Sequence, residues 1–219
     1  MRLSLPAQWT AACLSDDLPP GVVTPGVCNG SDVVVWRSAS GKVSAWNDRC
    51  QHRGMRLSHG FVRGETLSCI HHGWVYGTGG VCKSIPAHPN LAPPEAIRAQ
   101  TFSCVESNGI VWMAEAGADG APPEVGELTP VRSLVIVGSA KLLQQALPAG
   151  FKLFQDAYLG GQVALAGQEI AVALVLQSLG ESRMKVHTLA GPLDDSSTRV
   201  AISRWLENLR RNVEDGVTP

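Results

Sequence analysis

The chain has 219 residues and a formal net charge of −1, enough length to bury one large or two modest domains. The near-zero charge excludes a strong overall field of the kind that attracts nucleic acid or an anionic membrane. The sequence contains no run of eighteen apolar residues, and its start lacks a basic segment followed by an apolar one. We therefore expect a soluble, cytoplasmic protein.

Short apolar and β-branched runs separated by turn residues predict a mainly β structure in the first half of the chain. Residues 6–14 are predicted to form a short helix. Three hairpins are expected, from segments 32–36 with 42–46, 61–62 with 66–68, and 102–105 with 110–113. The first hairpin leads into Cys50, and the second delivers Cys69 to the same end of the sheet.

Two short loops each combine one cysteine with one histidine. The first loop has the pattern Cys-x-His at Cys50 and His52, and the second has Cys-x-x-His at Cys69 and His72. A Rieske [2Fe-2S] centre requires this composition, because two thiolates hold one iron and two imidazoles hold the other. The sequence therefore predicts Cys50 and Cys69 as ligands of one iron and His52 and His72 as ligands of the other.

A tetrahedral zinc site and a purely structural set of side chains are the alternatives. Zinc also accepts two cysteines and two histidines, but its usual finger spacing keeps like ligands together, whereas each loop here carries one of each. His59 and His88 lie off the ligand spacing and are interpreted as loop residues. The remaining cysteines are interpreted as buried thiols in a reducing compartment, namely Cys13, Cys28, Cys82 and Cys104.

The two loops resemble those of the Rieske non-haem iron oxygenases, especially the vanillate O-demethylase and phthalate dioxygenase-like branch. The resemblance rests on segment 47–60, Asn-Asp-Arg-Cys-Gln-His-Arg-Gly-Met-Arg-Leu-Ser-His-Gly, on segment 69–74, Cys-Ile-His-His-Gly-Trp, and on Ile-Pro at 85–86. It covers about the first half of the chain. Gln51 replaces the usual proline and His71 the usual aromatic residue, and neither stands at a ligand position.

The domain organisation follows from composition. Residues 1–113 are predicted as an all-β Rieske domain and residues 114–130, rich in Gly, Pro and acidic residues, as a linker. Residues 131–219 are predicted as a truncated catalytic-like domain for assembly, in which a small, degenerate helix-grip-like sheet precedes a C-terminal helix. The expected fold class is therefore α+β. The predicted elements of this domain are strands at 131–137, 168–176 and 183–189, a short helix at 141–146, and the final helix.

The second domain lacks the residues that the resemblance leads one to expect. An oxygenase of this family adds a mononuclear iron held by two histidines and a carboxylate, but His187 is the one histidine after residue 130. His187 shares a strand face with Arg183 and Lys185, which alternate with the other face of the strand, and it is interpreted as a solvated strand residue. Segment 151–162 faintly resembles the family's iron-binding helix. With Asp156 matched to its bridging aspartate, Leu159 and Ala164 stand at the histidine positions, and Asp215 could match the third ligand.

The surroundings of the loops bear on redox potential and docking. High-potential Rieske proteins carry an extra cysteine in each loop and a serine hydroxyl near the cluster, and Met55, His71 and Trp74 occupy those positions here. We therefore expect a potential near the low end of the range of about −150 to +300 mV. Four arginines surround the loops and would either steer an acidic redox partner or satisfy loop carbonyls, namely Arg49, Arg53, Arg56 and Arg63.

The leading functional hypothesis is a Rieske electron-transfer subunit of a heteromeric oxygenase. Such a subunit would pass electrons from a reductase or ferredoxin to a mononuclear iron in a catalytic partner subunit. A free-standing ferredoxin-type electron carrier and a structural subunit, in which the cluster only holds the loops together, are the alternatives. No nucleic-acid or membrane partner is expected.

Overall fold

A computed structural model describes residues 8–154, 158–165, 167–180, 182–193 and 196–216. The described chain divides into two compact units. The first comprises Gln8–Glu106 and Val111–Gly120, and the second comprises Ser107–Ile110 and the residues from Ala121 onward. Neither helix in the described part of the chain has both the length and the apolar composition needed to cross a membrane.

The described residues of the first half of the chain contain ten strands in two sheets. A six-stranded sheet has the order β1-β10-β9-β4-β3-β2, and a four-stranded sheet has the order β5-β6-β7-β8. The strands are β1 Thr10–Leu14, β2 Val23–Cys28, β3 Ser31–Arg37, β4 Val43–Asn47, β5 Phe61–Arg63, β6 Thr66–Ser68, β7 Val75–Gly77, β8 Cys82–Ser84, β9 Thr101–Ser107 and β10 Ile110–Ala114.

The larger sheet is covered on both faces. Val33 and Val35 of β3 point into one apolar core, whereas Val34 and Trp36 point into another, which also contains Trp46 of β4. Successive side chains of a strand alternate between faces, so burial of all four residues requires packing on both sides. The second of these cores surrounds the two cysteine-bearing loops.

The three predicted hairpins are present. β3 pairs with β4, with Val34 opposite Trp46, and β5 pairs with β6, with Val62 opposite Leu67. The predicted helix at 6–14 is wrong over Thr10–Leu14, which forms β1, and residues 6–7 lie outside the described chain. Four of the five β1 side chains are buried next to β10, and this burial outweighs the weak helix preference of the segment.

The described part of the second unit contains a five-stranded antiparallel sheet and two helices. Its strand order is β11-β15-β14-β13-β12. The longer helix packs on β11 and β13 through Ile202, Leu206 and Leu209, which are buried with side chains of β14 and β15. The elements are β11 Thr129–Val137, α1 Ala140–Ala146, β12 Lys152–Phe154, β13 Tyr158–Leu165, β14 Gln168–Ser178, β15 Arg183–Gly191 and α2 Ser196–Glu214. The predicted α+β class, with an all-β first domain and a C-terminal helix on a small sheet, is confirmed.

Two predictions for this unit are corrected. Where segment 151–162 was matched to an iron-binding helix, the described residues form the β12–β13 hairpin, so Leu159 and Ala164 lie on a strand; Asp156 lies outside the described chain. A Cβ at Gly161 would lie 2.6 Å from the ring of Phe151, so this glycine allows the aromatic ring to pack against the strand. His187 is fully buried rather than solvated, with Nδ1 2.9 Å from Oγ of Ser133.

We expect Leu206→Ala to destabilise the protein by about 2–5 kcal/mol, because it removes a fully buried side chain between α2 and the sheet. Urea denaturation followed by circular dichroism measures the effect. Val200→Ala is the matched control, since Val200 lies on the same helix and is 46% exposed, and it should change the stability by less than about 0.5 kcal/mol. Equal effects of the two substitutions would contradict the packing of α2 described above.

Candidate iron-sulfur site

The first cysteine-bearing loop follows β4 and is closed by two backbone hydrogen bonds. The N–H of Cys50 donates to the carbonyl of Met55 at 2.8 Å, and the N–H of Gly54 donates back to the carbonyl of Cys50 at 2.8 Å. Gly54 has a φ of 73°, in the left-handed region that favours glycine. The loop therefore projects His52 outward from a tight turn anchored at Cys50.

The second loop joins β6 to β7 and repeats this arrangement. The N–H of Cys69 donates to the carbonyl of Trp74 at 2.9 Å, and the N–H of Gly73 donates to the carbonyl of Cys69 at 3.0 Å. Gly73 has a φ of 70°, and a Cβ on it would lie 3.0 Å from Cγ of Pro86. Pro86 thus packs directly on this loop, which gives a physical reason for the Ile-Pro pair downstream.

The four predicted ligand residues lie at the tips of these matching loops, as two pairs. The side chains of Cys50 and Cys69 are buried, and the Cys50 thiol is close enough to raise the pKa of Cys69. The rings of His52 and His72 are exposed and their centroids are 4.7 Å apart, with an angle of 71° between the planes. A thiol pair beneath an imidazole pair is the donor set that a two-iron cluster requires.

Among the described residues, no three side chains of the types His, Cys, Asp and Glu are grouped to hold one metal ion. A Rieske centre needs no such group, because each iron takes two protein ligands and the bridging sulfides complete its coordination. The pairing of like ligands across the two loops therefore fits a two-iron cluster.

One cysteine and one histidine of this set, Cys69 and His72, have shifted pKa values. The pKa of the Cys69 thiol is raised, first by burial, while the backbone N–H groups of the loop oppose this effect. The pKa of His72 is lowered by desolvation and then by the neighbouring His71, His52 and Arg53. A lowered pKa favours the neutral imidazole at pH 7, which is the form that binds metals.

Tyr76 is a functional residue that the sequence did not reveal. Its hydroxyl lies 3.2 Å from Sγ of Cys50 and accepts a hydrogen bond from the N–H of Gln51 at 3.1 Å. Burial, followed by the nearby Cys50 thiol, raises the pKa of Tyr76. The phenol therefore keeps its proton and can donate it to the sulfur of Cys50. The available sequence signal was an aromatic residue with a polar end just after the second loop, since a buried tyrosine hydroxyl usually has a partner.

A buried carboxylate anchors the first loop. Asp48 is fully buried and accepts hydrogen bonds from the N–H and the hydroxyl of Ser58, both at 2.7 Å, and from Arg56 at 3.3 Å. Arg56 also pairs with Asp32 at 2.7 Å, and Arg49 pairs with Asp32 at 3.4 Å. The segment after Cys50 is thus fastened to the strands on which the loop stands.

These ion pairs indicate which of the four arginines around the loops have a structural role. Arg49 and Arg56 are bound to carboxylates of their own domain, so they serve the loop structure. The guanidinium of Arg63 lies over the ring of Phe61 at 4.8 Å. Arg53 is exposed and lies next to the histidine pair. Of the four arginines, it is the one for which the described chain provides neither an ion pair nor a ring contact.

Of the other histidines, His71 stacks on His72, and the rest lie apart from the four predicted ligands. His59 ends a short 3-10 turn and His88 lies in a loop, both exposed, and His187 is buried in the second unit. No disulfide joins any of the six cysteines, all of which lie in the described part of the chain. Burial raises the pKa of Cys104 to about 12, which makes it an unreactive thiol.

Comparison with known proteins identifies what this geometry resembles. Residues 8–102 match the family model described as Rieske [2Fe-2S] domain. The oxidoreductase NdmD of Pseudomonas putida is 41% identical over 117 residues, 52% of this chain and 20% of NdmD. The vanillate O-demethylase oxygenase subunit of Pseudomonas sp. (strain HR199) is 31% identical over 121 residues, 52% of this chain and 31% of that protein. The matches thus span less than a third of each of these curated relatives.

Solved structures share the fold of this chain. Apo dicamba monooxygenase superposes with a TM-score of 0.76 at 17% identity, covering 100% of this chain and 92% of that structure. NdmA of Pseudomonas putida CBB5 superposes with a TM-score of 0.72 at 17% identity, covering 94% of this chain and 80% of that structure. The resemblance to Rieske oxygenases seen in the loop sequences is confirmed.

Gly73→Ala should lower the iron content of the purified protein and shorten the lifetime of its visible absorbance. An alanine at this position would keep the positive φ of Gly73, and its Cβ would press against Pro86. Together these cost about 1–3 kcal/mol. Gly79→Ala is the matched control, because a Cβ there meets no atom within 4 Å. An iron content of Gly73→Ala equal to that of Gly79→Ala would contradict the constraint on the second loop.

Tyr76→Phe should lower the midpoint potential of the cluster by about 20–60 mV. The hydroxyl stabilises negative charge on the Cys50 sulfur, which is larger in the reduced state, and a net hydrogen bond is worth about 0.5–1.5 kcal/mol. A tenfold change in a one-electron equilibrium corresponds to about 59 mV. Spectroelectrochemical titration measures the shift. Tyr158→Phe, which changes the chain's other tyrosine, should leave the potential unchanged, and a rise on Tyr76→Phe would refute the donor role.

Proposed function

We propose that this chain is an electron-transfer subunit of a heteromeric non-haem iron oxygenase. The basis is the Rieske [2Fe-2S] domain at residues 8–102, with its Rieske-type cluster. In this proposal Cys50 and Cys69 bind one iron and His52 and His72 bind the other. The subunit takes electrons from a reductase or ferredoxin. It relays them to a mononuclear iron in a catalytic partner subunit.

One observation supports the ligand assignment above the rest. Two loops with the same backbone hydrogen bonds present one buried thiol and one exposed imidazole each, although their cysteine-to-histidine spacings differ. The two turns have the same length, and the histidine stands one position later in the second than in the first; the rings of His52 and His72 lie with their centroids 4.7 Å apart. A pair of loops of this kind supplies two ligands to each of two irons.

The cluster, when bound, carries one electron at a time. The residues around it determine from which side a redox partner can approach. The buried thiol side is closed by Tyr76 and the apolar core around it. The imidazole side is exposed through His52 and His72, with Ile70 and Arg53 exposed beside them. A redox partner therefore approaches the imidazole side. Arg53, as the exposed cation there, favours a partner with an acidic docking surface.

The second unit supports the need for a catalytic partner. Its one histidine, His187, is buried with its Nδ1 beside Ser133. The described residues of the segment matched to an iron-binding helix lie mainly in the strands β12 and β13. The unit nevertheless retains the sheet and long helix of the fold shared with Rieske oxygenases. We therefore assign it to assembly in a hetero-oligomer located in the cytoplasm, with the mononuclear iron in another polypeptide.

The test is an iron and acid-labile sulfide count on the anaerobically purified full chain, with an EPR spectrum after reduction. We expect two irons and two sulfides per chain and the spectrum of a Rieske centre. His72→Ala should lose the spectrum and most of the iron, whereas His88→Ala, which changes an exposed loop histidine, should keep both. A third iron in the wild-type chain would contradict the assignment of the mononuclear iron to a partner.

Purification of the chain with its native partners separates this proposal from the alternative electron carrier. A complex that contains a subunit with a mononuclear iron, reduced through this chain, supports the oxygenase role. A redox-active chain that passes electrons without such a subunit would instead be a free-standing ferredoxin-type carrier. Full partner activity with His72→Ala would indicate a structural subunit.

A further inference from the structure

An aromatic ring stacks on each of the two proposed histidine ligands. The indole of Trp74 is nearly parallel to the imidazole of His52, at an angle of 7° and a centroid distance of 4.7 Å. The imidazole of His71 stacks on that of His72 at 3.9 Å and 29°. The two ligand rings are therefore enclosed between two flanking rings, one from Trp74 and one from His71.

Trp74 connects the two loops. Its backbone carbonyl accepts the hydrogen bond from the N–H of Cys69 that closes the second loop. Its side chain is partly buried against the core cluster that contains both cysteines, while its ring covers the histidine of the first loop. A single residue thus fixes the backbone of one loop and the ring orientation of the other.

Stacking here takes a role that hydrogen bonds usually have. Metal-bound imidazoles are commonly oriented by a hydrogen bond from their second nitrogen to a carboxylate or carbonyl. In the described chain, the ring of His52 contacts two other rings, the stacked indole of Trp74 and the edge-on imidazole of His72. Stacking on the indole of Trp74 restricts the imidazole of His52 to an orientation nearly parallel to the indole.

The stacked indole also has an electrostatic effect with a definite sign. The face of an aromatic ring carries negative potential, and tryptophan provides the strongest such face. An imidazole bound to the oxidised, more positive cluster carries more positive charge than one bound to the reduced cluster. The indole face therefore stabilises the oxidised state relative to the reduced state.

We propose that Trp74 is a positioning residue that fixes the ring plane of His52 and lowers the reduction potential of the cluster. The inference rests on the proposed assignment of His52 as a ligand. It goes beyond that assignment because it gives a redox effect to a residue that does not bind iron. If Trp74 served packing alone, its replacement would change stability without a systematic change in potential.

The experiment compares Trp74→Leu and Trp74→Phe with Ile70→Ala in the full-length protein carrying its cluster. Ile70 is 58% exposed in the same loop and is the control for a change at the loop surface. Midpoint potentials are measured by spectroelectrochemistry. The linewidths of the EPR spectrum show how uniformly the ligand rings are oriented.

We expect Trp74→Leu to increase the equilibrium constant for reduction roughly two- to fivefold and to broaden the EPR lines. Trp74→Phe keeps a stacked ring with a weaker face, so it should give a smaller increase without broadening. Ile70→Ala should match the wild type. The ordering of potentials, wild type lowest and Leu highest, would support the proposal.

Unchanged or lower potentials in Trp74→Phe, with the cluster retained, would overturn it. That outcome is decisive even if Trp74→Leu fails to hold the cluster. A wild-type chain without a Rieske spectrum would instead refute the proposed function, and this inference with it. A wild-type spectrum with unshifted variants refutes the role of Trp74 alone.

Discussion

The site depends on one backbone constraint that occurs twice. Each cysteine donates its N–H to a carbonyl five residues later, and a glycine four residues later returns a hydrogen bond to the cysteine carbonyl. The closure requires a positive φ at Gly54 and Gly73, where a side chain would introduce strain. Because the two turns are equivalent in length and closure, the histidine can stand at the second position after Cys50 and at the third after Cys69 without a change in the turn. The two loops can therefore differ in ligand spacing and still place like ligands together.

The surrounding domain keeps these turns in position by polar as well as apolar contacts. Burying the carboxylate of Asp48 costs free energy, which its hydrogen bonds to Ser58 and Arg56 offset. Arg56 in turn contacts Asp32 on β3, so the loop, its tail and the sheet form one network. Pro86 supports the second loop by direct packing on Gly73. The charges near the cluster are mostly committed to structure, and an electrostatic attraction of redox partners has to come from the few that are not.

The sequence predicted those parts of the molecule that are set by local rules. The ligand pattern, the hairpins on either side of it and the final helix follow from spacing and periodicity, and the structure contains each hairpin and the helix. Long-range packing decided the rest. The segment around Gly161 became a strand because aromatic rings pack against it, and Thr10–Leu14 became a strand because it lies beside β10. His187 shares a strand face with Arg183 and Lys185 in the sequence pattern, yet it is buried. Tyr76 was missed because its partner, Cys50, is 26 residues away.

Tyr76 and Trp74 contact different proposed ligands, Cys50 and His52, and would act on the potential in opposite directions. The Tyr76 hydroxyl faces a thiolate and favours the reduced, more negative state, whereas the Trp74 ring faces an imidazole and favours the oxidised state. The low potential expected from the sequence was based only on groups that are absent here, the extra cysteine pair and the serine hydroxyl whose position Trp74 occupies. With Tyr76 present, the potential becomes a balance between a hydrogen bond that raises it and a stacked ring that lowers it. Replacement of a serine by Trp74 thus does more than remove a donor, since it adds a contribution of the opposite sign.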